Sequence, residues 1–574
     1  MTEVPNETQG VLKILIADRV AQEGIDLLRA QLPEAQIDER PGLKPEQLKA
    51  IIGQYAALVV RSETKVTSDI FAEASQMKIV GRAGVGVDNI DTEAATQHGV
   101  MVVNSPTGNI VAAAEHSIAM LMALARHIPE ADASMKAGKW EKSRFLGVEV
   151  RNKTLGIIGL GKVGTEVARR AQGLEMQILA FDPFVSPEQA RKLNVTMLTF
   201  DEVLQRADFI TLHTSLTSGP NGTRGIIGAR ELALMKPGVR LINCARGGLI
   251  DEVALLHSLN EKHVAGVALD VFSQEPIRDD ATLKQLLAHE RVIATPHLGA
   301  STEEAQVGVA IDVAEQIVSV LRGGFPRAAV NAPLILPETL KVLQPYMRLV
   351  EQMGHLYTQL QPGSLSKVEL SCSGEIANYD LRPLQAALIK GLLESISDAH
   401  VNMINAQVLA KQWGLEIVEQ KSTTSTEFAN QVTVRVLHSN GYTSPLAGKQ
   451  DAYIEQGDKH IEVLGGTVMH GEPRITRVGR YGTEFVPEGY ILFCRNLNQP
   501  GMIGRVGTLL GKANVNIRHM DVGPIVLSPQ PDTQQRRAAE TALMVISVDD
   551  PIPTATLEEI GRAGDIFGVT VVKL

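Results

Sequence analysis

The sequence predicts an α/β protein: two doubly wound parallel-sheet lobes, then an α+β unit, then a small βαβ-type module. Three observations lead there. From residue 11 to about 300, short apolar strands alternate with helical patterns, as parallel sheets covered by helices require. At residues 154–171 a strand runs into a glycine-rich turn and then a helix. Near residue 331 the character changes, with Asn331-Ala332-Pro333 and Leu336-Pro337 marking a linker.

With 574 residues the chain is too long for one core, and about three or four domains are expected. Hydrophobic residues at 44% and charged residues at 21% indicate a soluble globular protein. A net charge of −10 gives no reason to expect nucleic acid or an anionic membrane as partner. Three widely spaced cysteines, Cys244, Cys372 and Cys494, argue against a disulfide framework or a metal site. No apolar run has the length of a membrane span. The acidic N-terminus lacks the apolar core of a signal peptide, so the cytoplasm is expected.

In the first lobe the expected strands are Leu12-Lys13-Ile14-Leu15-Ile16, Ala57-Leu58-Val59-Val60, Lys78-Ile79-Val80 and Val100-Met101-Val102-Val103. Polar or glycine-rich tips follow them, Arg61-Ser62 and Gly81-Arg82-Ala83-Gly84-Val85-Gly86. In an open α/β sheet such tips share the carboxyl edge, where ligands bind. A long Ala/Met/Leu helix from Ile110 to Arg126 leads into the second lobe, and His116 within it reads as a packed structural histidine.

The second lobe opens with Thr154-Leu155-Gly156-Ile157-Ile158 and Gly159-Leu160-Gly161-Lys162-Val163-Gly164. This is the dinucleotide fingerprint of a Rossmann unit. The first glycine permits the tight turn, the second lets backbone N–H groups approach a pyrophosphate, and the third allows close helix packing. The next strand, Gln177-Ile178-Leu179-Ala180-Phe181, ends in Asp182. An acid there accepts hydrogen bonds from the ribose and repels a 2′-phosphate, so NAD is expected.

Three later apolar strands end in Cys244-Ala245-Arg246, in Glu275 and in Thr295-Pro296-His297. The edge rule brings a cation, a carboxylate and an imidazole together. That is a proton-transfer site with an anion anchor. Each residue alone also reads as an ordinary sheet-edge cap or ion pair. A helix beginning near Ser301 is expected to return to the first lobe.

Beyond the linker, residues 338–484 mix amphipathic helices with period-two segments such as Gln431-Val432-Thr433-Val434-Arg435-Val436. Lys449, Lys459, Arg474, Arg477 and Arg480 suit an anion site or, more simply, a solvated face. The last unit has strands at Ile491-Leu492-Phe493, Val515-Asn516-Ile517 and Ala542-Leu543-Met544-Val545-Ile546, with a helix from Ile503 to Lys512. It is too small for chemistry and well suited to a ligand cap, and the chemistry does not need it, because the catalytic trio and the fingerprint lie before residue 300.

Gly81-Arg82-Ala83-Gly84-Val85-Gly86-Val87-Asp88-Asn89, Val103-Asn104-Ser105-Pro106, the fingerprint, Asn243-Cys244-Ala245-Arg246-Gly247-Gly248 and Thr295-Pro296-His297-Leu298-Gly299-Ala300 together resemble the D-2-hydroxyacid dehydrogenase family. The tail is similar to the intervening domain and C-terminal ACT module of the family's long, serine-pathway branch. The resemblance implies a substrate-binding domain at 10–108 completed by 300–331, an NAD-binding domain at 109–299, an intervening domain at 332–485 and an ACT domain at 490–574.

It also implies roles. His297 exchanges the proton of the substrate hydroxyl, Glu275 orients it and Arg246 binds the carboxylate. NAD would lie against Gly159, Gly161, Lys162, Val163, Gly164, Asp182, Thr214, Cys244, Ala245, Arg246, Asp270, His297, Leu298, Gly299 and Ala300. Arg61, Ser62, Val85 and Asn109 would hold substrate, with Arg61 on a phosphate. Trp140, Lys142 and Arg144 resemble a segment that reaches a neighbouring subunit in a homotetramer. Asn496, Asn498 and Asn516 would contact L-serine as effector. The implied reaction is NAD-dependent oxidation of 3-phospho-D-glycerate. Oxidation of another D-2-hydroxy acid, such as glycerate or 2-hydroxyglutarate, and a non-catalytic NAD-sensing corepressor role are the alternatives.

Overall fold

The computed structural model describes residues 11–219, 222–332, 337–360, 365–394, 396, 400–425, 427–437, 461–525 and 541–574. Lys449 and Lys459 lie outside the described residues. The first sheet contains β1 (Lys13–Ile16), β2 (Gln36–Glu39), β3 (Ala57–Val60), β4 (Ile79–Arg82) and β5 (Met101–Asn104) in the order β2-β1-β3-β4-β5. Every pairing is parallel. The inner strands read as continuous apolar runs because both their faces are buried. The edge strand β2, Gln-Ile-Asp-Glu, carries one apolar residue and is absent from the sequence-based strand set. An edge strand with a solvated face leaves no hydrophobic signature.

The helix Glu303–Leu321 packs across this sheet and against the helix Gln22–Gln31. The approach is close: a Cβ at Gly24 would lie 2.8 Å from Ala310, and one at Gly81 would lie 2.5 Å from Val313. Buried Gln316 bonds to the Asn104 carbonyl at 2.9 Å and to the Ala328 amide at 2.9 Å. The chain therefore leaves the first lobe and returns to it.

The second sheet holds β6 (Thr154–Ile158), β7 (Gln177–Phe181), β8 (Thr196–Met197), β9 (Phe209–Leu212), β10 (Val239–Asn243), β11 (Val264–Leu269) and β12 (Val292–Ala294). Its order is β12-β11-β10-β9-β6-β7-β8. The strand order reverses between β6 and β9. That switch point opens the crevice in which doubly wound sheets bind their ligands.

The third sheet, β13 (Lys367–Gly374), β14 (Glu416–Ser422), β15 (Asn430–Leu437), β16 (Ile461–Met469), β17 (Glu472–Val478) and β18 (Tyr481–Phe485), runs β14-β13-β15-β16-β17-β18. Only the β13–β14 pairing is parallel among them. The helices Pro337–Leu360 and Arg382–Leu393 cover one face. They meet at Gly391, where a Cβ would stand 2.1 Å from the Glu351 carbonyl oxygen.

The last sheet is antiparallel, with β19 (Tyr490–Leu497), β20 (Ile517–Pro524), β21 (Thr541–Val548) and β22 (Ile566–Lys573) in the order β20-β21-β19-β22. The helices Met502–Lys512 and Thr554–Arg562 complete it. The second helix and β22 go beyond the elements read from sequence.

Packing ties this last unit to the one before it. Leu492, Cys494, Met544 and Ile546 face the unit's own helices. Ile491, Phe493, Leu543, Val545 and Val572 point the other way, into one core with Leu349, Val350, Met353 and Phe485. Phe485 and Phe493 meet edge to face, with centroids 5.8 Å apart. At the seam a Cβ on Gly523 would lie 1.9 Å from the Gly482 carbonyl oxygen, and Thr483 donates to Asp521 at 2.6 Å. The Gln359 amide bonds to both the N–H and the C=O of Lys573. Two sheets thus share a single interior. Phe493→Ala should cost about 3–5 kcal/mol. Hydrogen exchange should accelerate in the helix Pro337–Leu360 together with β21; acceleration confined to residues 490–574 would show two independent modules.

Candidate active site

β12 delivers His297 to the carboxyl edge of the second sheet. The residue adopts φ 56°, a left-handed conformation rare for non-glycine residues. Its N–H donates to the carbonyls of Asp270 at 2.9 Å and Thr295 at 3.0 Å. Nδ1 lies 2.7 Å from Glu275 Oε2, and Glu275 Oε1 accepts from the Phe272 N–H at 2.9 Å. Burial opposes the charge on Glu275, but the bonds from His297 and Phe272 outweigh it and hold the carboxyl below its usual range. The same bond to Glu275 raises His297 above its ordinary value, against burial and the nearby Arg246 charge. With Nδ1 engaged, Nε2 has no protein partner among the described residues and is left for substrate.

Asp270, at the end of β11, is fully buried and holds this turn in shape. Its carboxylate accepts from Thr295 Oγ1 at 2.6 Å and from the N–H groups of Leu298 at 2.7 Å and Gly299 at 2.9 Å. His116 Nε2 stands 3.2 Å away. Burial works against ionisation, yet the bonds from His116, Thr295 and Leu298 keep the carboxyl below its usual range. His116 therefore braces the loop that carries His297.

The glycine turn has the geometry its sequence foretells. Gly159 sits at φ +95° with the His213 carbonyl oxygen 2.6 Å from where a Cβ would be, and a Cβ on Gly164 would strike the Gly159 oxygen at 2.1 Å. Around Gly161, which caps the helix Lys162–Gly173, there is open space. This is a place for an anion at a helix N-terminus, bounded by the start of the helix at Lys162 and Val163. Asp182 bonds to the Leu160 N–H through Oδ2 at 2.8 Å and to the Phe184 N–H through Oδ1 at 2.8 Å. It thereby ties the turn to β7. Thr214 Oγ1 is buried with no partner, as expected of a hydroxyl that a ligand would satisfy. These residues fit a dinucleotide. Burial and the charge of Asp270 push the Cys244 thiol up to about 12, so it lines the crevice as a neutral group.

Across the cleft, the first sheet presents Arg61, Ser62 and the glycine loop. The Arg61 N–H donates to Asp18 at 2.6 Å, and its guanidinium reaches the Arg19 carbonyl at 3.3 Å. The Val85 carbonyl accepts from the Asn104 amide, and Asn109 Oδ1 is buried without a partner. Arg246 pairs with Asp88 at 3.3 Å and packs so close to Gly86 that a Cβ there would lie 2.2 Å from its Nη2. The sequence reading passed over Arg82 and Asp88. Both sit inside the quoted glycine motif, and only the fold shows that they reach Arg246.

The D-isomer specific 2-hydroxyacid dehydrogenase NAD-binding domain model matches residues 118–299. The D-3-phosphoglycerate dehydrogenase intervening domain matches 342–478, and the ACT domain matches 490–565. D-3-phosphoglycerate dehydrogenase 2, chloroplastic, from Arabidopsis thaliana is 44% identical over 99% of this chain and 88% of its own. The D-3-phosphoglycerate dehydrogenase of Synechocystis sp. is 42% identical over 98% and 95%. This chain belongs to the D-2-hydroxyacid dehydrogenase family. Two solved members of that fold are similar over 56% of the chain: a Thermus thermophilus protein (29% identity, TM-score 0.51, 100% of that chain) and a glyoxylate reductase from Paecilomyes thermophila (29%, 0.51, 99%).

The chain is accordingly an NAD-dependent dehydrogenase with an ACT domain attached. The three effector candidates in that domain, Asn496, Asn498 and Asn516, do not converge. Asn496 is buried at the far end of β19, its amide bonded to the Leu497 carbonyl at 2.6 Å. Asn498 is exposed just beyond. Asn516 precedes β20, bonded to Asp549 at 2.6 Å. Strand register puts Asn496 opposite Ala542 and Asn516 beside Val548, at opposite ends of β21. Roughly 20 Å of strand separates them.

The dyad sets a pH dependence. Oxidation needs His297 neutral, and Glu275 favours the protonated form, so kcat/KM for the hydroxy acid should rise with pH through an inflection above 6.5, the ordinary value. Glu275→Gln removes the charge partner and should move that inflection to lower pH while lowering kcat. An unmoved inflection in the variant's pH–rate profile would assign it to another group.

Proposed function

We propose that this dehydrogenase oxidises 3-phospho-D-glycerate to 3-phosphooxypyruvate with NAD. This is the first step of the phosphorylated route to L-serine, and L-serine is its feedback inhibitor. The observation that carries the chemistry is the His297–Glu275 dyad at 2.7 Å, on the same carboxyl edge as the fingerprint turn and near enough to Arg246 to feel its charge. The substrate is supported by full-length relatives of that name, including one from Archaeoglobus fulgidus at 40% identity over 98% of this chain and 100% of its own.

In this reading Arg246 exchanges Asp88 for the substrate carboxylate, with a planar fork that Lys cannot copy. The Val85 loop and Asn109 hold the rest of the substrate. His297 Nε2 takes the hydroxyl proton, and Glu275 stabilises the resulting imidazolium through Nδ1. Bound NAD supplies the hydride acceptor. In the reverse direction His297 returns the proton.

A homotetramer is part of the proposal. Val111, Ile128, Met135, Trp140 and Leu146 expose apolar surface on one stretch of the chain, Trp140 to 81%, more than isolated exposed residues would account for. The separation of Asn498 from Asn516 supports an effector site completed by two copies. A cytoplasmic location agrees with three free cysteines and with no described helix long and apolar enough to cross a membrane.

Steady-state turnover of 3-phosphoglycerate with NAD, with and without serine, tests the reading. No turnover would refute the reaction, and indifference to serine would refute the regulation alone. His297→Ala should lower kcat about 10²–10⁴-fold with NAD affinity nearly intact. A variant retaining half the normal kcat would exclude His297 as the base. Asp182→Ala should raise KM for NAD and narrow its preference over NADP; unchanged values for both would show that the acid does not meet the ribose. Asn498→Ala and Asn516→Ala should each weaken serine inhibition without altering uninhibited kcat, seen as a right-shifted serine titration.

A further inference from the structure

The loop that carries Glu275 is tied to the body of the second lobe by very little. From Val271 to Ile277 no backbone N–H or C=O enters a backbone–backbone hydrogen bond among the described residues. Phe272 and Ile277 dip into the core, but Ser273, Gln274, Glu275 and Pro276 between them are exposed. Glu275 bonds back to the Phe272 N–H of its own loop, which orients the side chain without fixing the loop. A carboxylate that must meet an imidazole needs an anchor, since a displacement of about 1 Å can cost about 100-fold in rate.

Glu252 is placed to be that anchor. Its Oε1 accepts from the Ser273 N–H at 2.8 Å and its Oε2 from the Ser273 hydroxyl at 2.5 Å. Apart from the bond to His297, these are the only hydrogen bonds from residues 272–276 to another part of the chain among the described residues. Glu252 is the first residue of the helix Glu252–Asn260, whose N-cap Asp251 accepts from the Val253 and Ala254 N–H groups at 3.0 Å each. The Asp251 N–H donates in turn to the Ile227 carbonyl at 2.9 Å. This helix follows the loop of Arg246, where a Cβ on Gly247 would stand 1.8 Å from the Phe272 carbonyl oxygen. The loops of Arg246 and Glu275 therefore both meet at the start of one firmly held helix.

An acid in the first turn of a helix also favours the helix dipole, which is the ordinary reason for Glu there. The dipole asks only for charge near the end of the helix. It does not explain why both oxygens are spent on one residue of a neighbouring loop, two positions before Glu275. We infer that Glu252 is a positioning residue for the proton-transfer dyad: it clamps Ser273, and through Ser273 it holds Glu275 at bonding distance from His297. The inference rests on the dyad of the reaction proposed above and adds a residue that makes no hydrogen bond to either member of it.

The experiment measures kcat and kcat/KM against pH for 3-phospho-D-glycerate on Glu252→Ala and Glu252→Gln in the full chain, with Glu275→Gln as reference. Glu275 and Asp270 raise the pKa of His297 and Arg246 lowers it. Asp270 has donors of its own and Arg246 pairs with Asp88, so loosening the clamp acts on the Glu275 contribution. Glu252→Ala should lower kcat about 10-fold, the equivalent of one charge-assisted hydrogen bond. It should also move the inflection to lower pH, in the direction of Glu275→Gln and by less, with NAD affinity unchanged. Gln can still accept the N–H and donate to the hydroxyl oxygen, so it should restore most of the rate and the wild-type inflection. In a Glu275→Gln background, Glu252→Ala should move the inflection no further. A lowered kcat with an unmoved inflection in Glu252→Ala would make Glu252 a brace for the fold alone. A Gln variant shifted as far as Ala would show that His297 feels the charge of Glu252 and not its grip on the loop; either result overturns the inference. Ser273→Ala removes only the hydroxyl bond and should show the same pattern at smaller size; it carries the test if Glu252→Ala does not fold. If Glu275→Gln itself leaves the inflection in place, the dyad assignment fails and the clamp with it. If only the Glu252 variants leave it in place, the dyad stands and the clamp is refuted.

Discussion

The catalytic half of this molecule depends on a buried carboxylate that touches no substrate. Asp270 collects the Thr295 hydroxyl, two loop N–H groups and His116. Without those bonds the chain after β12 would have no reason to hold His297 at a positive φ. A carboxylate in that position must be ionised to accept them all, and the donors around it ensure that it is. The dyad bond, the orientation of Nε2 and the shape of the Leu298–Ala300 turn follow from one fully satisfied buried charge.

Much of this was legible beforehand because it is written in residue types with few alternatives. Gly159 and Gly164 occupy positions where a side chain would collide with backbone. Strand-terminal Arg246, Glu275 and His297 could be gathered by topology alone, since parallel strands share an edge. What escaped was relational. Arg82 looked like part of a glycine turn, and its closeness to Arg246 becomes visible only when its neighbours are known. His116 looked like core packing, and its bond partner is remote in sequence. The polar edge strand β2 has no periodicity to detect.

The hardest feature to read was the seam between the last two sheets. The unbroken apolar run Ile491-Leu492-Phe493-Cys494 in β19 announces two buried faces, and the unit's own helices can cover only one. The sequence is silent on what covers the other. Phe493 would read the same whether it met solvent, a second copy or Phe485. Residue pattern reports that a surface is apolar, and only the fold reports what it is packed against.

The shared interior has a mechanical consequence. It joins the third and fourth sheets into one block, which meets the first lobe through Asn402 and Ile404. At that contact Asn402 donates to the Gly99 carbonyl at 2.7 Å, in a space where a Cβ on Gly99 would lie 2.4 Å from the Asn402 amide. Gly99 sits at the foot of β5, in the lobe that carries Arg61 and Arg82. A tilt of the far sheet would therefore press on the first lobe at the foot of β5, where Gly99 leaves no slack around Asn402.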